Sequence, residues 1–128
     1  MTVSIRVTGI DALQRKLGQD FRRVLRPPMQ RAVLLLQAAM ADYPPQRTGS
    51  SYVRTGTLGK KWTTDVDDLP DGVLGKIGNV TEYAPLVQSE QFQAAAHRGR
   101  WQTEQQMLRK HLAQIERFFQ VAVDAALR

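Results

Sequence analysis

The sequence predicts an α+β fold in one domain. A small antiparallel sheet, built from an N-terminal strand and a central β-hairpin, packs against a long broken N-terminal helix and a C-terminal amphipathic helix. Three observations predict it. Val3–Val7 alternates apolar and polar residues, with β-branched side chains at the apolar positions. Residues 61–78 hold two strand-like runs around a turn cluster. The stretches before Tyr43 and after Thr103 repeat apolar residues at helical spacing. A length of 128 residues, 42% hydrophobic and 23% charged, suits a single globular domain over 1–128. The expected flexible or partner-ordered loops lie at about 44–60 and 89–102.

In chain order, Gly9 ends the first strand, and Asp11 with Gln14 three residues on makes a capping-box pattern for the first helix. Leu13, Leu17, Phe21, Val24 and Leu25 form its apolar stripe. Pro27-Pro28 is expected to interrupt it, since neither residue donates a backbone hydrogen bond. A second helix is expected from that pair to Tyr43, with Met29, Val33, Leu36 and Met40 on one line as core. Pro44-Pro45 stops it.

Residues 43–62 then carry three glycines, the cations Arg47, Arg54, Lys60 and Lys61, and no acid. Glycine takes positive φ at little cost, so this is turn-rich chain rather than helix or plain strand. Tyr52, Leu58 and Trp62 are its apolar anchors. Long loops inside compact domains are usually functional or disordered, and the anchors argue for a pinned basic contact loop.

Lys61–Val66 has strand character, Asp67–Gly72 is the turn cluster, and Val73–Gly78 returns. Tyr83–Gln88 is long enough for one helical turn, docked by Tyr83, Leu86 and Val87. Residues 89–102 are polar and basic, with a helical possibility at Ala94–Ala96 and the run His97-Arg98-Gly99-Arg100-Trp101. Arg and Trp beside glycine compose a nucleic-acid contact or an interface hot spot; a Trp101 that caps the core is the equal alternative. Thr103 with Gln106 caps a last helix striped by Met107, Leu108, Leu112, Ile115, Phe118, Phe119, Ala122 and Ala126.

Composition narrows the function classes. The chain has no cysteine, which removes disulfides, thiolate metal sites and cysteine nucleophiles. No apolar run approaches the roughly 20 residues of a membrane span, and Met1–Val7 lacks a signal peptide's apolar core, so a soluble protein made in the cytoplasm is expected. His97 has no acid or nucleophile beside it in sequence, and two separated histidines make a weak zinc set. The acids Asp65, Asp67, Asp68 and Asp71 depart from calcium-loop spacing, and Thr55–Lys60 lacks the phosphate-loop pattern. We therefore expect no enzyme, no cofactor and no metal. The net charge of +6 makes an anionic neighbour plausible. Segregation of the basic loop from the hairpin acids also suits head-to-tail contact between copies of one protein.

The order of the distinctive pieces carries a resemblance. A helix ends in Tyr43-Pro44-Pro45. Then come Tyr52-Val53-Arg54-Thr55-Gly56-Thr57-Leu58-Gly59-Lys60-Lys61-Trp62, Glu82-Tyr83-Ala84-Pro85-Leu86-Val87-Gln88 and His97-Arg98-Gly99-Arg100-Trp101. The chain resembles the tail-completion or neck (head–tail joining) proteins of tailed bacteriophages, in which an Arg-Thr-Gly-x-Leu stretch precedes a β-hairpin and a Tyr-Ala-x-x-Val stretch follows it. The architecture matches over most of the chain and the motifs over about half. Many relatives continue with Glu-x-Gly-Thr, where this chain has Gln88-Ser89-Glu90-Gln91.

The resemblance implies a structural virion protein at the neck or tail, made in the host bacterial cytoplasm. It implies a ring of copies of the chain, a hexamer or dodecamer, touching a tail terminator and a head-closure protein, with packaged DNA nearby and no membrane contact. The residues expected at these contacts are Arg47, Tyr52, Arg54, Lys60, Lys61, Asp67, Asp68, Asp71, His97, Arg98, Arg100 and Trp101. The alternative is a small nucleic-acid-binding protein using residues 47–61 and 97–101, although no DNA-reading motif is apparent. A toxin-like RNase would need a His and Arg constellation that the sequence does not assemble.

Overall fold

Alternation in the first strand and the hairpin builds a three-stranded antiparallel sheet of order β1-β3-β2, from β1 (Thr2–Thr8), β2 (Trp62–Leu69) and β3 (Gly72–Asn79). The computed structural model describes residues 1–42, 44, 57–81 and 83–128, with the backbone alone at Thr57. The register pairs Val3 with Ile77, Ile5 with Gly75 and Val7 with Val73, and Val66 lies across from Gly75. These residues share the face turned to the core. Thr2, Ser4, Arg6, Thr63, Asp65 and Lys76 share the outer face.

Among the described residues, five helices and two 3-10 turns complete the order. Helix α1 (Asp11–Leu17) leads through a 3-10 turn over Gly18–Asp20 into α2 (Phe21–Ala41). Helix α3 (Thr57–Lys60) precedes the hairpin, α4 (Ala84–Gln88) follows it, and α5 (Glu104–Leu127) comes last after a 3-10 turn at Ala95–His97. With α3 counted, the basic segment is not wholly turn, since its end coils into one helical turn before β2.

Helix α2 lies between the sheet and α5. Met29 and Val33 press on the sheet at Gly75, where a Cβ would sit 2.4 Å from Met29 Sδ and 2.7 Å from Val33 Cγ1. Helix α5 runs back along α2. The Arg31 guanidinium stacks 4.2 Å over the Phe118 ring, and Lys16 Nζ donates to Arg128 O at the far end. Phe21, Leu25, Met29, Val33, Leu36 and Met40 of α2 join Ile77, Val73, Ile115 and Phe119 in the main core.

The long N-terminal helix is broken, but not at Pro27-Pro28. Gly18 makes the break, with φ of +58°, its own N–H donating to Gln14 O as the cap of α1. Helix α2 continues through both prolines. Each interior proline costs about 3 kcal/mol in lost hydrogen bonding and ring clash. Six large apolar side chains buried on one stripe contribute about 1.5–3 kcal/mol each, which outweighs that cost. Pro27 is exposed whereas Pro28 is buried. Pro27→Ala should therefore raise stability by roughly 1–2 kcal/mol, the regained hydrogen bond less the freer unfolded chain, and Pro28→Ala should not. Thermal melts of the two variants check this.

Four local expectations are also corrected. Asp11 is the first helical residue rather than the cap; Ile10 stands at the cap position, without a side-chain hydrogen bond. The hairpin turn is only Pro70-Asp71, because Asp67 and Asp68 are in β2. Helix α4 docks through Ala84, Val87 and Gln88, leaving Tyr83 and Leu86 exposed. Leu112 is 45% exposed, so the α5 stripe is narrower there than its periodicity indicates. The α5 cap is as expected: Thr103 Oγ1 accepts from Gln106 N, and Gln106 Oε1 accepts from Thr103 N.

Candidate functional site

Leu58, Ala84, Val87 and Trp101 form a second, smaller core, separate from the main one. Each comes from a different motif-bearing segment. Leu58 closes the basic loop, Ala84 and Val87 belong to the Tyr-Ala-Pro-Leu-Val run, and Trp101 ends the His-Arg-Gly-Arg-Trp run. Three stretches far apart in sequence are therefore neighbours in space.

Buried amides fasten this region. Asn79 Nδ2 donates to Leu58 O at 2.8 Å and Asn79 Oδ1 accepts from Thr81 N, so one side chain ties α3 to the end of β3. Gln88 Nε2 donates to Met40 O at 3.0 Å, tying α4 to the end of α2. Gln93 Nε2 donates to Val87 O and Trp101 O, both at 2.8 Å. Thr103 Oγ1 donates to a Glu90 carboxylate oxygen, and Glu104 Oε2 accepts from Glu90 N. Residues 89–103 are thus laced to α4 and to the start of α5. Buried hydrogen bonds of this kind hold geometry more than they add stability, because each replaces a bond to water.

Around the second core stand exposed groups of two kinds. Lys60, Lys61 and Arg98 are exposed, and Arg100 is half-buried. Val80, Tyr83, Leu86 and Phe92 are exposed apolar side chains from the same stretch of chain, and Ala94 N donates to Leu86 O, which draws the Phe92 segment back onto α4. Large exposed apolar side chains gathered beside cations are the composition of a contact surface. Sequence reasoning overlooked Phe92 and Val80. Phe92 carried a usable signal, as a lone aromatic in a polar stretch with no helical or strand partner.

Trp101 settles to one side of its two readings. It is 8% exposed, packed in the second core with the His97 ring edge-on at 6.4 Å. Its ring supports the surface from beneath rather than facing a partner. Gly99, at φ of +77°, makes the turn between Arg98, which is exposed, and Arg100, which is half-buried. Arg47, Tyr52 and Arg54 lie outside the described residues, as does most of the expected loop 44–60.

The hairpin acids are at the other end of the sheet. Lys61 and Asp71 flank the eight residues of β2, which places them roughly 25–30 Å apart at strand rise. Asp68 Oδ1 is 2.8 Å from Arg26 Nη1 and Asp67 Oδ2 is 3.3 Å from Lys76 Nζ. Asp71 is exposed at the turn, where Arg22 donates to Leu69 O and Pro70 O. Lys60 and Lys61 thus stand apart from the hairpin acids, and the acidic end is partly neutralised by Arg26 of α2 and Lys76 of β3.

A cleft of about 260 Å³ opens beside the second core, lined by Asp42, Pro44, Gln88, Arg100, Gln102, Met107 and Lys110. Its polar groups are amides, two cations and one carboxylate, a set suited to holding polar groups and lacking a nucleophile beside a base. His111 Nδ1 bonds Met107 O within its own helix. Among the described residues no three His, Asp or Glu side chains gather as a metal site, and no helix is long and apolar enough to cross a membrane. Neither family models, nor curated proteins, nor solved structures include a match to this chain.

Proposed function

We propose that this chain is a structural subunit of a tailed-phage virion, acting at the neck in tail completion and head–tail joining through protein–protein contacts. The observation that carries the reading is the convergence of three motifs on the second core. Leu58, Ala84, Val87 and Trp101, one or two from each motif that resembles the neck family, pack together, and exposed cations and apolar side chains surround them. A ring of identical copies fits this arrangement, with the basic and apolar surface of one copy against the hairpin end of the next. Asp71 is the acid most available there, since Asp67 and Asp68 already pair within the chain.

The rival reading, a free nucleic-acid binder, uses the same cations. It is weakened by the burial of Trp101, whose face a base would need for stacking. Binding measured across a salt series separates the two, because a regulator binds tightly as a free protein with a steep salt slope.

Replacing Arg54, Lys60 and Lys61 with Gln tests the assembly role. Lys60 and Lys61 are exposed, and exposed charges contribute about 0–1 kcal/mol each, so the variant should melt close to the parent. In a phage lacking its own copy of this gene, the variant should yield separate heads and tails by electron microscopy. Normal infectious particles would overturn the assembly role for these cations.

A further inference from the structure

The two edges of the sheet are unlike. In an antiparallel ladder, alternate residues direct both backbone groups to the same neighbour. Met1 and Asn79 exchange hydrogen bonds, Asn79 N to Met1 O at 2.9 Å and Met1 N to Asn79 O at 3.2 Å. Continuing that alternation along β1, Val3, Ile5 and Val7 bond to β3, while Thr2, Ser4, Arg6 and Thr8 direct their N–H and C=O groups outward. These four residues are exposed, and among the described residues nothing occupies their outward backbone groups.

The β2 edge, by contrast, is covered by α2. Gln37 Nε2 donates to Trp62 O at 2.8 Å, Arg26 reaches Val66 O and the Asp68 carboxylate, and Arg22 takes Leu69 O and Pro70 O. Side chains laid across an edge in this way keep other strands off it. The open β1 edge has no proline, no lysine and no bulge; its one charge is Arg6. On its core face, Ile5 and Val7 stay half-buried, so apolar surface is left at this edge for an added strand to cover.

The strand also reads nearly the same in both directions about Ile5: Thr2-Val3-Ser4-Ile5-Arg6-Val7-Thr8. We propose that two copies of this chain pair through β1, antiparallel about a twofold axis at Ile5, to make one continuous six-stranded sheet. Thr2 then faces Thr8 of the second copy, Val3 faces Val7, Ser4 faces Arg6 and Ile5 faces Ile5. Every outward N–H and C=O finds a partner, and the two apolar faces join. A shift of one residue would turn the apolar face to water. Of the two even shifts, one opposes Arg6 to Arg6, and the other leaves Thr8 unpaired. The partner chosen is therefore a second copy. The pairing requires nothing of the neck reading and stands or falls separately from it.

The test is the mass of the full chain over a wide concentration range, by sedimentation equilibrium, with three variants of the exposed outer face. The parent should show a concentration-dependent dimer. Ser4→Arg sets like charges across both ends of the pairing and should weaken it about tenfold. Ser4→Glu faces Arg6 of the second copy and should tighten it. Joining Ser4→Arg with Arg6→Glu sets opposite charges across the same positions and should bring the affinity back to the parent's or above it, which only this register predicts. Melting followed by circular dichroism shows that each variant folds. A parent that stays monomeric throughout, or a dimer indifferent to all three changes, overturns the pairing.

Discussion

Phe119→Ala should lower stability by about 3–5 kcal/mol, the usual cost of truncating a buried aromatic side chain. The ring belongs to the main core with Ile115, Leu36 and Met29, and little of it reaches solvent. Its neighbour Phe118 lies on the same helix but is only half-buried, with the Arg31 guanidinium lying over its ring. Phe118→Ala should therefore cost clearly less, since much of the lost contact is to a mobile, hydrated side chain. Urea or thermal melts give the order directly. For a chain of this size the Phe119 change corresponds to a fall in Tm on the order of 10 °C. Equal losses at both positions would mean that α5 is rotated from the orientation described.

Gly72→Ala should be nearly as damaging, for a different reason. Gly72 opens β3 opposite Thr8, and a Cβ there would sit 1.8 Å from Val7 O and 2.8 Å from Val7 C. Those are backbone atoms of β1, which cannot rotate away as a side chain can. The strands must part locally, at a cost of about 1–3 kcal/mol or more. Gly75→Ala makes a useful contrast. Its obstacles are the Met29 and Val33 side chains, and Met29 can change rotamer. We expect the larger loss at Gly72, accompanied by faster amide exchange along β1.

Much of the fold was legible because its signals are local. Alternation marked β1, the Thr103 and Gln106 pair marked the start of α5, and the two runs around Pro70 marked the hairpin. What escaped depended on distant partners. Local chemistry says that Pro27-Pro28 ends a helix; burial of the stripe from Phe21 to Met40 decides otherwise, and that burial needs the sheet and α5 in place. Asp67 and Asp68 look like turn residues until Lys76 and Arg26 are beside them. Periodicity finds the side of a helix that faces inward but not how far its neighbour extends, which is why Leu112, Tyr83 and Leu86 stay exposed.

The candidate site was legible in its pieces and not in their meeting. Leu58, Ala84, Val87 and Trp101 span 44 positions of sequence, counted from 58 to 101, and no periodic pattern links them. The sequence offers two equal readings of Trp101, because tryptophan suits cores and interfaces alike; only its neighbours in space separate them. Asn79, Gln88 and Gln93 had no sequence signal at all, although each holds one segment of the site to another. Single amides carry no motif, and their roles appear once the chain is folded.

Under the proposed function, the surface over the second core meets another virion protein. Amide hydrogen exchange, followed in the free chain and in purified phage particles, tests it most directly. The chain should be present in particles, and residues 83–88 and 97–101 should gain protection there, with the buried strand β3 unchanged. Particles that lack the chain, or that contain it with those two stretches exchanging as fast as in the free protein, would contradict it.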